Sequence, residues 1–189
     1  MADEQPTDLR MADRFERIVR NSPGRLGRGH WGGGTAIQDH DTGPRPWAVD
    51  IIVGDTSAPV FVAQALGIEP GTAVLTRSRR FAVEGRVVQL STSYLPTELT
   101  RGSRIEHTDT GEGGTYARLA ERGLAPTRFT ERIVGRDSLP EEASSLGLLV
   151  GGAQVLEITR LAYAEDRCVE VNRMVLDSDA YELTYSFTA

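Results

Sequence analysis

From Trp47 onward, apolar and polar residues alternate with a period of two along seven segments: 47–53, 73–82, 86–95, 128–136, 154–164, 168–176 and 180–187. All are rich in β-branched or aromatic residues, so each predicts a strand. Three others, 58–66, 114–123 and 140–146, predict helices. In the second, Tyr116, Leu119 and Ala120 form an apolar stripe at i, i+3 and i+4, and Gly123 follows as a stop. Ahead of Trp47 the pattern weakens. Residues 9–20 place Leu9, Phe15, Ile18 and Val19 near one helical face and predict a short helix. The stretch NSPGRLGRGHWGGGTAIQDHDTGPRP then shows no period and is dense in glycine and proline. It predicts a linker, with Trp31 as the residue to pin it to a partner surface. The expected organisation is therefore a helix and linker over 1–46 and one folded domain over 47–189.

The folded part repeats itself. AQALGIEPGTAVLTRSRRFAVEGRVVQL lies over ASSLGLLVGGAQVLEITRLAYAEDRCVEV with one inserted residue. The overlay matches Ala63, Leu66 and Gly67 to Ala143, Leu146 and Gly147, Val74-Leu75 to Val155-Leu156, and Arg79, Arg86 and Val88 to Arg160, Arg167 and Val169. Each copy is a helix ending at Leu-Gly, a strand, a tight turn (Glu84-Gly85 or Glu165-Asp166) and a returning strand. Within a copy no helix separates the paired strands, so parallel crossovers are not expected. The fold class predicted is α+β, an antiparallel sheet with helices packed on it.

One strand carries an unexpected load. After Thr72-Ala73-Val74-Leu75 comes Arg77-Ser78-Arg79-Arg80, and alternation puts Arg77 and Arg79 on one face with Arg80 on the other. A buried guanidinium without a partner is costly, so two readings stand. Glu170, placed by alternation opposite Val169 and Val171, could close an internal salt-bridge network with them. Alternatively, Arg77 and Arg79 line a pocket and hold an anion through their planar forks while Glu170 accepts from a hydroxyl or amine. Ser91 and Ser93, on the strand returning beside the arginines, add hydroxyls. DTGEGGTYARL (109–119) puts glycines and Thr115 at a helix start, where unpaired N–H groups favour anions; the alternative is that Thr115 or Asp109 caps the helix or orders the loop.

Composition narrows the rest. With 189 residues and 39% hydrophobic content, the chain supports one sizeable core. No run approaches the roughly 20 apolar residues of a membrane span, and no signal peptide is recognisable, so a cytoplasmic protein without a membrane partner is expected. A net charge of −6 argues against nucleic-acid binding by the whole surface, so any basic site is local. All 21 cationic side chains are arginines, and their placement carries more meaning than their number. His30, His40 and His107 have no metal-ligand spacing, and no P-loop, nucleophile-elbow or dinucleotide motif occurs, so neither metal nor cofactor is expected. GRGHWGGG lacks the Gly-Lys-Ser/Thr of a phosphate loop. Cys168, flanked by Arg167 and Val169 on a strand, suits a core position rather than a nucleophile.

The order of APVFVAQALGIEPGTAVLTRSRRF, GRVVQLSTSYLPTEL, GGTYARLAERG, ERIVGRDSLPEEASSLGLLVGGAQVLEITRLAY and VEVNRMVL resembles the UTRA domain. This is the effector-sensing module of HutC-type GntR transcription regulators, related in fold to chorismate lyase. The resemblance runs from about Trp47 to Phe187. It implies a homodimer with a small-molecule pocket in which Arg77 and Arg79 bind an anionic effector. It also places the family's Gly-Ser-x-Tyr segment on Gly113, Gly114, Thr115 and Tyr116, and its Val-Glu on Val169-Glu170. Gly114 stands where the family has serine, Ser91 where sugar-phosphate sensors have glutamate, and Leu176–Tyr181 departs from Tyr-Arg-Gly-Asp-Arg-Tyr. These departures weigh against an amino-sugar phosphate. DNA binding would come only through a winged helix-turn-helix domain, for which residues 1–46 are too short and glycine-rich. A lyase of the chorismate lyase type is the alternative.

Overall fold

In the computed structural model, residues 16–31, 41 and 43–185 are described. The elements in chain order are β1 (Ile18–Arg20), α1 (Ser22–Leu26), α2 (Arg28–Trp31), β2 (Trp47–Ser57), α3 (Val60–Leu66), β3 (Ala73–Val83), β4 (Arg86–Pro96) and α4 (Thr97–Thr100). A 3-10 turn (Arg104–Glu106) precedes α5 (Gly114–Glu121), β5 (Arg128–Asp137), α6 (Pro140–Leu146), β6 (Gln154–Ala164), β7 (Arg167–Asp177) and β8 (Tyr181–Leu183). Six strands form one antiparallel sheet in the order β2-β3-β4-β7-β6-β5. The α+β architecture expected from the two helix–hairpin repeats is therefore observed.

The repeat is also the geometry. Each copy is a strand, a helix and a hairpin, and the copies meet where β4 pairs with β7. At the centre of that pairing Thr92 faces Arg173, its own counterpart in the overlay, so a pseudo-two-fold axis runs through the sheet there. Both repeat helices lie on one face: α3 packs against β7, and α6 against β4. Both end alike, with Gly67 and Gly147 left-handed at φ 68° and the next amide closing onto Ala63 O or Ala143 O. A left-handed residue after the last turn satisfies the orphan carbonyls there, and glycine adopts it without strain. Ala58, Val62, Ala63 and Leu66 pack with Val74, Cys168 and Val171 beneath α3, and Leu146 with Val155 and Val175 beneath α6. Cys168 is a buried core residue, as expected, and burial pushes its thiol up to about 11.

Each hairpin carries a β-bulge at the same place. The register slips between Phe81 and Ala82, leaving Val88 unmatched, and between Ala162 and Tyr163, leaving Val169 unmatched. A bulge turns two successive side chains to one side. Simple alternation placed Glu170 opposite both Val169 and Val171, and this is corrected: Val171 packs under α3, whereas Val169 and Glu170 share the other face.

That second face carries the remaining elements. Trp31, Leu99, Ile105, Tyr116 and Leu119 pack on Leu75, Leu95 and Val169. Ile18 and Tyr181 pack on Val83, Val88, Ile158 and Met174. Where the apolar stripe of residues 9–20 predicted a helix, Ile18–Arg20 is a strand pairing in parallel with β8; residues 9–15 lie outside the described residues. The segment after it, predicted as linker, forms α1 and α2 through Trp31, with Asn21 capping α1 by accepting from Gly24 N at 3.2 Å. Residues 32–40 lie outside the described residues. The last predicted strand, 180–187, narrows to Tyr181–Leu183, with 186 and 187 undescribed. Among the described residues no helix is long and apolar enough to cross a membrane.

Candidate functional site

Between the two apolar clusters of the second face lies a cavity of about 480 Å³, a size suited to a small molecule. Its floor is laid out about the pseudo-two-fold: Arg79 and Arg160, Gln89 and Glu170, Ser91 and Asn172 are counterpart pairs, and all six line it. The twin bulges explain the pairs, because they aim Gln89 and Glu170 inward at equivalent points. Each is met by a tyrosine. Tyr116 donates to Glu170 at 2.7 Å, and Tyr181 donates to Gln89 at 3.1 Å. Ser91 donates to Asn172 at 3.0 Å across the middle.

Arg77 breaks the symmetry, since its counterpart is Ile158, packed in the apolar cluster with Ile18. The Arg77 guanidinium donates to Ile105 O at 2.7 Å, to His107 O, and to Thr108 O at 2.9 Å. It thereby fastens the loop that leads into α5. Arg79 spends one N–H on Ser93 at 2.6 Å, and the Nε atoms of Arg77 and Arg79 have no hydrogen-bond partner among the described residues. Neither arginine forms an ion pair with a carboxylate among the described residues. Burial, then repulsion from Arg79, lowers the Arg77 guanidinium to about 10, with Glu170 and Asp109 opposing. Burial likewise lowers Arg79, again opposed by Glu170. Desolvation outweighs the nearby counter-charge at both.

Of the residues singled out in the sequence, Arg77, Arg79, Ser91, Gly114, Thr115, Tyr116 and Glu170 line this cavity together. Ser93 does not; it lies fully buried beneath, opposite Arg77 in the register, accepting from Arg79. No side chain caps α5, while Asp109 orders the preceding loop by accepting from Gly111 N at 2.8 Å. Burial, then the neighbouring Glu170 charge, drives the Tyr116 phenol far up, so it stays protonated and donates.

Sequence reasoning missed Arg25, Gln89, Arg160, Asn172 and Met174, which also line the cavity. The repeat held the signal for three of them, because Arg160, Gln89 and Asn172 are the counterparts of Arg79, Glu170 and Ser91. Arg25 had none: it sits in the glycine-rich segment with no period.

Gly113 locks that segment to the cavity. It is left-handed, at φ 74°, and an added Cβ would sit 2.5 Å from Trp31 O and 2.6 Å from Ala117 Cβ. At Gly114, φ 66°, a Cβ would meet nothing within 4 Å. Gly114→Ala should therefore cost only the left-handed penalty of about 1 kcal/mol, and Gly113→Ala at least about twice that. Urea unfolding of the two variants measures the difference.

Fold and site together define a sheet domain whose cationic hollow is assembled from both halves of an internal duplication. Residues 51–182 match the UTRA domain family, and the chain belongs to it. The transcriptional repressor PhnF of Mycolicibacterium smegmatis is 29% identical over 133 residues, 69% of this chain and 52% of that protein. The crystal structure of PhnF from Mycobacterium smegmatis superposes with a TM-score of 0.72 at 25% identity, covering 92% of this chain and 72% of that one. That of the PhnF effector domain gives 0.63 at 27% identity over 76% and 86%. The chain spans about half the length of the curated relatives it matches, both of which are named as HTH-type transcriptional regulators.

Proposed function

We propose that this chain is the effector-sensing and dimerising part of a cytoplasmic GntR/HutC-type transcription regulator. Its cavity binds a small anionic metabolite, and a winged helix-turn-helix domain reads the result on DNA. The observation that carries this is the cavity lining: Arg25, Arg77, Arg79 and Arg160 converge on a hollow of small-molecule size, beside an uncapped helix start. Guanidinium groups held below their ordinary range by burial gain from a guest carrying negative charge. Arg79 is the main fork, while Arg77 supplies charge and links the guest to the 105–108 loop. A signal then follows only if guest-bound and empty states differ at that loop and at the start of α5. Homodimer formation is supported by edge strand β2, where Trp47, Val49 and Ile52 stand in solvent, and by exposed Val60 and Phe61 on α3.

Calorimetric titration with phosphate, sugar phosphates and carboxylates tests the proposal. At least one anion should bind the wild-type chain, and Arg79→Gln should weaken it at least tenfold, about 1.4 kcal/mol. Absence of binding by every anion, or equal binding by Arg79→Gln, would overturn it.

A further inference from the structure

Around the cavity the buried charges do not balance. Arg20, Arg25, Arg77 and Arg160 are each at most 3% exposed, and Arg79 joins them at the wall. Among the described residues, three buried carboxylates oppose these five guanidinium groups: Asp41, Glu131 and Glu170. Glu131 is shared, accepting from Arg20 at 2.7 Å and from Arg160 at 2.8 Å. Asp41 forms an ion pair with Arg25 at 3.3 Å. Glu170 is bound by the Tyr116 hydroxyl. Two positive charges are left over.

The surplus lies in two places. Arg77 holds the loop at Ile105, His107 and Thr108, whereas Arg25 stands against Asp41. The guanidinium groups therefore reach one hollow from different elements, Arg77 and Arg79 from the sheet and Arg25 from α1. Arg25 is buried, its Nε has no hydrogen-bond partner among the described residues, and it lines the cavity. The cluster of Arg20, Arg25 and Arg160 thus sets three cations against Glu131 and Asp41, and its one excess positive charge, beside a cavity that Arg25 and Arg160 line, calls for a counter-charge.

We infer that Arg25 is a second anion subsite, so that the cavity takes a guest with two separate acidic groups, one held at Arg79 and Arg77 and the other at Arg25. The guest class is a short dicarboxylate or a phosphonate or phosphate monoester bearing a distant carboxylate. This rests on the effector-pocket proposal and deepens it. It also makes Arg25 the specificity-determining residue, and it places one end of the guest on the segment that precedes the sheet.

The test is calorimetry on the full chain with succinate, glutarate, adipate and phosphonoacetate, each against a monoanion of similar size: butyrate, valerate, hexanoate and methylphosphonate. For the best dianion, wild type should bind at least about tenfold tighter than its matched monoanion. Arg25→Gln should erase that preference by weakening the dianion at least about tenfold more than its matched monoanion, Arg25→Lys should restore part of it, and Arg79→Gln should weaken both kinds. Equal affinity of wild type for matched pairs overturns the inference, and so does a preference that survives Arg25→Gln. Where Arg25→Gln fails to fold, the wild-type comparison decides alone. Monoanions binding through Arg79 with no gain for dianions would sink only the second subsite. No binding by any anion would sink the effector pocket as well.

Discussion

Glu131→Gln should lower the unfolding free energy by about 3–5 kcal/mol, a fall in Tm on the order of 10 °C for a chain of this size. The substitution keeps the shape and removes one charge. Its carboxylate is the shared acceptor of Arg20 and Arg160, which are 0% and 3% exposed, so neither cation can find water instead. Losing one partner of a buried ionic cluster leaves uncompensated charge, which costs far more than the intact cluster contributes. An exposed pair such as Arg167–Glu98 supplies the contrast, and its loss should cost under about 1 kcal/mol. The effect also has a pH signature. Although burial alone would raise it, Arg160 and Arg20 hold the Glu131 carboxyl down to about 2. A depressed acid stabilises the folded chain above its unfolded pKa and loses that contribution as pH falls towards the folded value. The gap between wild type and Glu131→Gln should therefore be full at neutral pH and narrow as pH drops from about 4.5 to about 2. Thermal melts of both proteins across that range measure it, and a gap independent of pH would contradict the assignment.

The second large effect is expected at Trp31. The residue is 1% exposed, its ring meets Tyr116 edge-on at 5.9 Å between centroids, and its indole N–H donates to Leu26 O at 3.3 Å. Trp31→Ala should cost about 3–5 kcal/mol, the range for deleting a fully buried large aromatic residue. Because Tyr116 holds Glu170 and lies in the first turn of the helix beside the cavity, the loss should reach the site: anion affinity should fall together with stability. Trp31→Phe, which keeps most of the ring contact, should recover most of both. Denaturant unfolding and calorimetry on the two variants separate this from simple loss of folded protein. Affinity unchanged in the folded fraction of Trp31→Ala would show that segment and site are uncoupled.

The duplicated helix–hairpin unit was legible because each copy repeats its helix stop, its turn and its strand pattern at matching distances. That was enough to place Arg77 and Arg79 on one face and to fix the antiparallel sheet. The bulges were not legible, since one unmatched residue in a strand leaves no trace in alternation; hence Glu170 was assigned the wrong neighbours. Ile18–Arg20 was misread because three residues are too few to outweigh the longer helical stripe around them. Arg25 was invisible for a different reason. What brings it to the cavity is burial of Trp31 and Ile18 against distant strands, a tertiary effect that local composition does not encode.

The duplication has a last consequence. A bowl with true two-fold symmetry would hold its occupant equally well either way round, and would read neither its head nor its tail. Here Glu170 stands across from Gln89, and Arg77 across from Ile158. With an acid and an extra cation on one side only, a guest molecule with unlike ends would meet a single favoured orientation, so divergence between the copies has turned a two-fold scaffold into a polar one.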